Sequence, residues 1–225
     1  QKFPTSDYAS QSLMENGLLQ KSMASGKKAD SLFASLIQFY PESQPAPRAV
    51  FERALINFTL GDTAFGLKMY DYAVQNYPGD EYSDESAYRL ASYYKRLDSN
   101  AQSRDYFLKL ALNSKSNEFV AESYYRIGEL WKKEKQLDSA EAAYMQVRNN
   151  YSSYEDWFSL SLVNLGEIYE QRREYLKAKE IYSALLELRP DDDFGNTAKA
   201  RIKRVNPCCA QAGTQVDSVA DHCFG

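Results

Sequence analysis

The sequence predicts an all-α fold: a right-handed α-solenoid of five helix pairs, closed by a short capping helix near residues 194–205. Three observations predict it. The phrase SAYRLASYYKR (86–96) returns as SYYRIGELWKK (123–133), 37 positions later. Ladders of small and aromatic residues repeat at that same interval along the chain. The composition is poor in turn formers, with 10 Gly and 7 Pro in 225 residues, which suits long helices joined by short connections.

The ladders define the units. Small residues fall at Gly17, Ala54, Ala91, Gly128 and Gly166, at intervals of 37, 37, 37 and 38. A second small ladder follows at Ala29, Gly66, Ser103, Ala140 and Ala178, and an aromatic one at Phe33, Tyr70, Phe107, Tyr144 and Tyr182. Leu36, Ala73, Leu110, Val147 and Leu185 form a fourth. A fixed period of this length marks a repeat architecture, in which each unit buries its apolar face only against its neighbours. The units are placed at about 10–44, 47–81, 84–118, 121–156 and 159–192, within one domain over 8–205. Residues 206–225 carry Pro207 at their start, lack an apolar stripe and are expected to be a flexible tail.

Within each unit the pattern is two helices. In the fifth, Leu162, Leu165, Gly166 and Tyr169 give an i, i+3, i+4, i+7 stripe, and Ala178, Ile181, Tyr182, Leu185 and Leu188 give a second. Small residues let the paired backbones approach, and the second-helix aromatic fills the space beside them. Pro41, Pro78 and Pro190 end the second helices of units one, two and five, because proline cannot continue a helix. Asp62 is expected as an N-cap, and Ser152 with Glu155 as a capping box opening the fifth pair.

The pattern Leu162, Leu165, Gly166, Tyr169, Ala178, Tyr182, Leu185, Pro190 resembles the tetratricopeptide repeat, and unit four follows it with Tyr124, Ile127, Gly128, Trp131, Ala140, Tyr144 and Val147. Units one and two depart from it in the first helix, where Asn16 and Arg53 occupy a normally apolar position. The resemblance covers about residues 8–205. The period exceeds the family's usual 34. The extra residues fall in turns such as FYPESQPAPRAVFERA, which are similar to those of bacterial envelope members of the family, the outer-membrane assembly lipoprotein and the Tol–Pal coordinator. The lipid-bearing N-terminal cysteine of that lipoprotein has no counterpart here.

The resemblance implies a protein–protein interaction scaffold, periplasmic or envelope-associated, with a partner segment lying in a concave groove lined by the first helices. By position the groove residues are Phe51, Leu55, Tyr88, Ser92, Lys95, Tyr125, Glu129, Lys132, Val163 and Glu167, with Met14, Leu18 and Phe58 beside them. Tyr88 with Lys95, and Tyr125 with Lys132, would form a repeated tyrosine–lysine face. The asparagine of a peptide-carboxylate clamp is not matched, since Ser92 and Glu129 stand where it would help. Two other readings share the fold: a cytoplasmic co-chaperone or regulator, and a helical-repeat protein that binds a small ligand or assists an enzyme.

Catalysis is not expected. The single histidine, His222, lies near the end of the chain, and general acid–base chemistry most often uses one. No cofactor is expected. Cys208, Cys209, His222 and Cys223 would make a poor zinc set, because adjacent cysteines do not match the usual spacing of paired ligands. The formal net charge of −4 argues against a nucleic-acid partner, and no apolar run reaches the roughly 20 residues of a membrane span.

Overall fold

The computed structural model describes residues 7–212, with side chains described as far as residue 206. Among the described residues there are eleven helices and no strand: α1 (Asp7–Ser22), α2 (Gly26–Phe39), α3 (Ala46–Thr59), α4 (Thr63–Asn76), α5 (Glu81–Arg96), α6 (Asn100–Asn113), α7 (Asn117–Lys133), α8 (Leu137–Asn150), α9 (Glu155–Gln171), α10 (Tyr175–Leu188) and α11 (Asp193–Ala212). The first ten form five consecutive pairs, as the period predicts. The sequence reading takes 8–205 as one domain; the described residues group into two compact units, divided between Val120 and Ala121, within α7.

One turn design joins the helices of every pair. Ala24, Gly61, Asp98, Lys135 and Arg173 all have positive φ, between 56° and 86°. The next residue in each case donates its N–H five residues back: Ser25 to Gln20, Asp62 to Asn57, Ser99 to Tyr94, Gln136 to Trp131, Glu174 to Tyr169. This is the Schellman closure, which satisfies a carbonyl orphaned at the helix end. Only Gly61 adopts the left-handed conformation freely; at the other four positions it costs ~1 kcal/mol, offset by the closing hydrogen bonds.

The second helices end as the prolines require. Tyr40, Tyr77 and Arg189 precede Pro41, Pro78 and Pro190 and leave the helical region, with φ near −130° and ψ of 51° to 66°. Tyr151 ends α8 in nearly the same way although Ser152 follows it. Asp62 caps α4, its side chain accepting from the Phe65 N–H at 3.0 Å. The capping box expected at Ser152 and Glu155 does not form. α9 begins at Glu155 behind Tyr154, so Glu155 is the first helical residue and its carboxylate pairs with Arg189 instead.

The ladders are the packing. A Cβ added to Gly17, Gly128 or Gly166 would collide with the ring of Phe33, Tyr144 or Tyr182, sixteen residues ahead in each case. Glycine therefore lets the second-helix aromatic lie directly on the first-helix backbone. Phe33, Tyr144 and Tyr182 have no exposed surface, and full burial of a side chain this large contributes roughly 1.5–3 kcal/mol. In unit 1 the core continues through Val50, Ala54, Tyr70, Ala73, Leu90 and Leu110. In unit 2 it runs through Leu162, Leu165, Ile168, Ile181 and Leu185 to Ala198 and Val205 of α11.

α11 is longer than the expected cap. It starts at Asp193, where Gly195 permits close approach to the carbonyls of Arg189 and Pro190, and its backbone stays helical through Pro207 to Ala212. Of the expected tail, 206–212 is therefore helical, and 213–225, including His222 and Cys223, lies outside the described residues.

Candidate functional site

In unit 1 the helix ends leave a cavity of about 480 Å³, built from α3, α4 and α5. Leu55 and Phe58 come from the last turns of α3, Leu67 and Tyr70 from α4, and Glu85, Tyr88, Arg89, Ser92, Tyr93 and Arg96 from one stripe of α5. The i, i+3, i+4 spacing of 85, 88, 89, 92 and 96 is what brings those α5 side chains to one wall. Four of the sequence-predicted groove residues meet here: Leu55, Phe58, Tyr88 and Ser92.

The wall is partly organised already. Glu85 accepts from Arg89 Nε at 2.7 Å, and the Arg89 guanidinium stands 5.4 Å from the centre of the Phe51 ring. Tyr88 packs edge-on against Phe107 at 6.0 Å and tilted against Phe119 at 6.2 Å, so it is half structural, half lining. Burial raises the pKa of Tyr70, partly opposed by Arg89 beside it, and the phenol stays neutral. Arg96 is exposed at the edge of the cavity.

Other predicted residues lie elsewhere. Phe51 is buried between Tyr70 and Tyr82, with ring centres 5.6 Å away in both directions. Met14 is core, and Leu18 packs on the same cluster. Lys95 is half-buried on α5 but does not line the cavity; Arg96, its neighbour, does.

In unit 2 the predicted face is occupied by its own contacts. Tyr125 is 6% exposed and sits against Tyr144 and Trp157, at 5.8 and 5.5 Å. Burial and then the neighbouring Glu129 push its hydroxyl up to about 12. Glu129 also accepts from Arg126, which holds Glu122 as well. Lys132 Nζ donates to Asn164 Oδ1 at 2.8 Å and to Glu167 Oε2 at 2.5 Å. The other oxygen of Glu167 accepts from Arg201 of α11 at 2.5 Å. Val163 packs against the core. Unit 2 therefore does not present the expected free tyrosine–lysine face: the tyrosine is buried and the lysine is ion-paired.

A polar cluster that sequence reasoning missed lies behind that face. Glu170, 4% exposed, accepts from the Tyr182 hydroxyl at 2.6 Å and is paired with Arg201 and Arg204 of α11. Its sequence signal was slight: an acid in a stripe position, with arginines three residues apart on the capping helix. Leu67, Tyr70, Arg89 and Arg96 were also missed as lining residues. Leu67 and Tyr70 lie on a second helix, whereas the groove was read from first helices alone; Arg96 was legible as one turn beyond Ser92.

Among the described residues no group of three His, Cys, Asp or Glu is placed to hold a metal ion, and no helix is long and apolar enough to cross a membrane. The zinc set rejected from sequence involves side chains outside the described ones.

Residues 122–154 and 160–192 each match a family profile described as tetratricopeptide repeat. Among curated proteins no significant match to the sequence was found. Among solved structures the chain is similar to a tetratricopeptide repeat protein from Parabacteroides merdae, at 14% identity and a TM-score of 0.53 over 94% of this chain and 81% of that one. It is also similar to YrrB, described as a TPR protein with an unusual peptide-binding site, at 15% identity and a TM-score of 0.51 over 84% and 90% of the two chains. The two profile matches identify tetratricopeptide repeats at residues 122–154 and 160–192, and the paired helices, the repeated Schellman turns and the glycine–aromatic seam carry the same repeat fold through the other helix pairs.

Proposed function

We propose that this protein is an interaction scaffold that captures a partner protein segment at the unit 1 cavity, by an apolar side chain with an acidic group beside it. One observation carries the reading: Leu55, Phe58 and Leu67 make an apolar wall of a cavity whose edge holds the exposed Arg96. The apolar wall favours a buried anchor, and the arginine favours a carboxylate next to it. Tyr88 and Tyr93 add surfaces of the type enriched at binding hot spots. The similar protein YrrB, described as having a peptide-binding site, lends the reading support by analogy of fold. The proposed setting is the bacterial cell envelope, from the likeness of the inter-repeat turns, and subcellular fractionation of the source organism checks it.

A random peptide library selected against the parent tests the capture site. Enriched peptides should carry an apolar residue beside Asp or Glu. Ser92→Trp, which fills the cavity from its wall, should abolish their capture while leaving the melting temperature within a few degrees. Peptides that bind Ser92→Trp as well as the parent would exclude the cavity as the site.

A further inference from the structure

The turns within the helix pairs of unit 1 carry a second feature. Immediately before each left-handed residue stands a large apolar side chain: Met23, Leu60 and Leu97, exposed by 63%, 50% and 57%. They are 37 residues apart, so they occupy one structural position in three successive pairs. The turn does not demand an apolar residue there, because the same position in unit 2 holds Glu134 and Arg172 over the same backbone geometry. The start of α2, three residues after Met23, lies beside the second tip: a methyl added to Gly26 would stand 3.5 Å from Ile56 Cγ2 and 3.8 Å from Leu60 Cδ2.

The charge around these tips is basic. Lys27 and Lys28 follow Met23 across the first turn, Lys68 follows Leu60 on α4, and Arg96 adjoins Leu97; all four are exposed. Among the nearby acids, Asp98 adjoins Leu97, is exposed and has an interaction of its own, and two others are engaged locally. Asp30 accepts from Arg53 at 2.9 Å and Asn57 at 2.8 Å, and Asp62 caps α4. A chain with formal net charge −4 thus gathers exposed cations beside its exposed apolar tips.

We propose that this turn edge docks on an anionic lipid bilayer. Turn tips project rather than enclose, which suits a broad soft surface better than a partner helix, which needs a groove. Leu and Met tips enter the acyl boundary while neighbouring lysines and arginine stay at the phosphates. Each Lys or Arg held near an anionic surface strengthens binding by about fivefold, and the attraction is screened by salt. Contact of this kind is peripheral.

Vesicle co-sedimentation tests the proposal, using phosphatidylcholine alone and phosphatidylcholine with about a third phosphatidylglycerol. The parent should bind the anionic vesicles, bind the neutral ones at least tenfold less, and release as salt rises. The triple variant Met23→Ser, Leu60→Ser, Leu97→Ser should lose tenfold or more, and Lys27→Glu with Lys28→Glu a similar factor. Leu112→Ser and Leu176→Ser, at exposed positions away from these turns, should bind as the parent does. Circular dichroism confirms folding of each variant. Parent that ignores anionic vesicles, binds neutral ones equally well, or keeps its affinity in the triple variant would overturn the proposal. So would a triple variant that loses a protein partner in pull-down while vesicle binding is unchanged. Ser92→Trp should bind vesicles normally, so failure of the capture site and failure of this surface are read separately.

Discussion

After the first helix of each pair, unit 1 places Met23, Leu60 and Leu97 in solvent, whereas unit 2 places Glu134 and Arg172 at the same turn. On the first helices the contrast repeats. Unit 1 leaves a cavity walled by Leu55, Phe58 and Leu67, while unit 2 joins Lys132 to Glu167, Glu167 to Arg201, and Glu170 to Arg201 and Arg204. The backbone is one repeated design in both. What differs is whether the polar groups of a face find partners within the chain. A face whose charges are already paired has little left to offer a ligand, because a ligand must first break those pairs. A face with apolar walls and an exposed cation has unspent binding capacity. The proposed capture site accordingly lies in unit 1, and the unit 2 network acts within the fold.

The comparison breaks first at the seam the units share. Gly166→Leu should cost about 3 kcal/mol, the upper end of overpacking, because the Tyr182 ring on that backbone has no room to retreat. Ala91→Leu, the equivalent change in unit 1 against Phe107, should cost a similar amount. Chemical denaturation of both variants checks this. A large cost in one and none in the other would mean that the two units do not share one packing rule.

Glu170→Gln comes next, at about 2 kcal/mol. It removes the buried negative charge facing Arg201 and Arg204, but Arg201 keeps Glu167 and both arginines reach water, which recovers part of the loss. The melting temperature should fall, with the loss read mainly from unit 2 by hydrogen exchange of α10 and α11. Unchanged protection there would remove the network from the stability of that unit.

The smallest effect is a pH dependence in unit 1. Asp84 is buried with Ser114 Oγ at 2.6 Å, and burial raises its pKa despite that hydrogen bond. The folded state then holds this proton more tightly than the unfolded chain does. The stability it contributes is full below the ordinary carboxylate range near 3.9 and is lost as pH rises through the raised folded value. Asp84→Asn should therefore melt slightly higher than the parent at neutral pH, with the advantage fading as the pH falls through the raised folded value and gone below about 4. Ala121 and Ser159 hold the equivalent positions in unit 2, so no matching pH step is expected there. A variant that melts lower at neutral pH would show that the carboxylate is worth more to the fold than its burial costs.

The tetratricopeptide pattern was legible because it is local and periodic. A small residue must precede a bulky aromatic by a fixed number of residues if the ring is to lie on the facing backbone, and second helices stop at Pro41, Pro78 and Pro190; both constraints leave letters in the chain. The capping box at Ser152 misled because the chain can start a helix at several adjacent residues, and Glu155 found Arg189 instead. The cavity lining was legible only in part. Leu55, Phe58, Tyr88 and Ser92, read from helix position, line the unit 1 cavity, but Tyr125 and Lys132 repeat the letters of Tyr88 and Lys95 and are buried or ion-paired.

The repeat, its period, the paired helices and the seam between them follow from the order of residues, since each depends on spacing along one chain. Which polar side chains remain available is set by the folded arrangement. Lys132 is spent on Asn164 and Glu167, 32 and 35 residues away, and Glu170 on arginines 31 and 34 residues away. Pairing over such distances is set by where the next helix lies. Net charge and local pattern do not carry that information, because electrostatic satisfaction depends on separation in space and not on order along the chain.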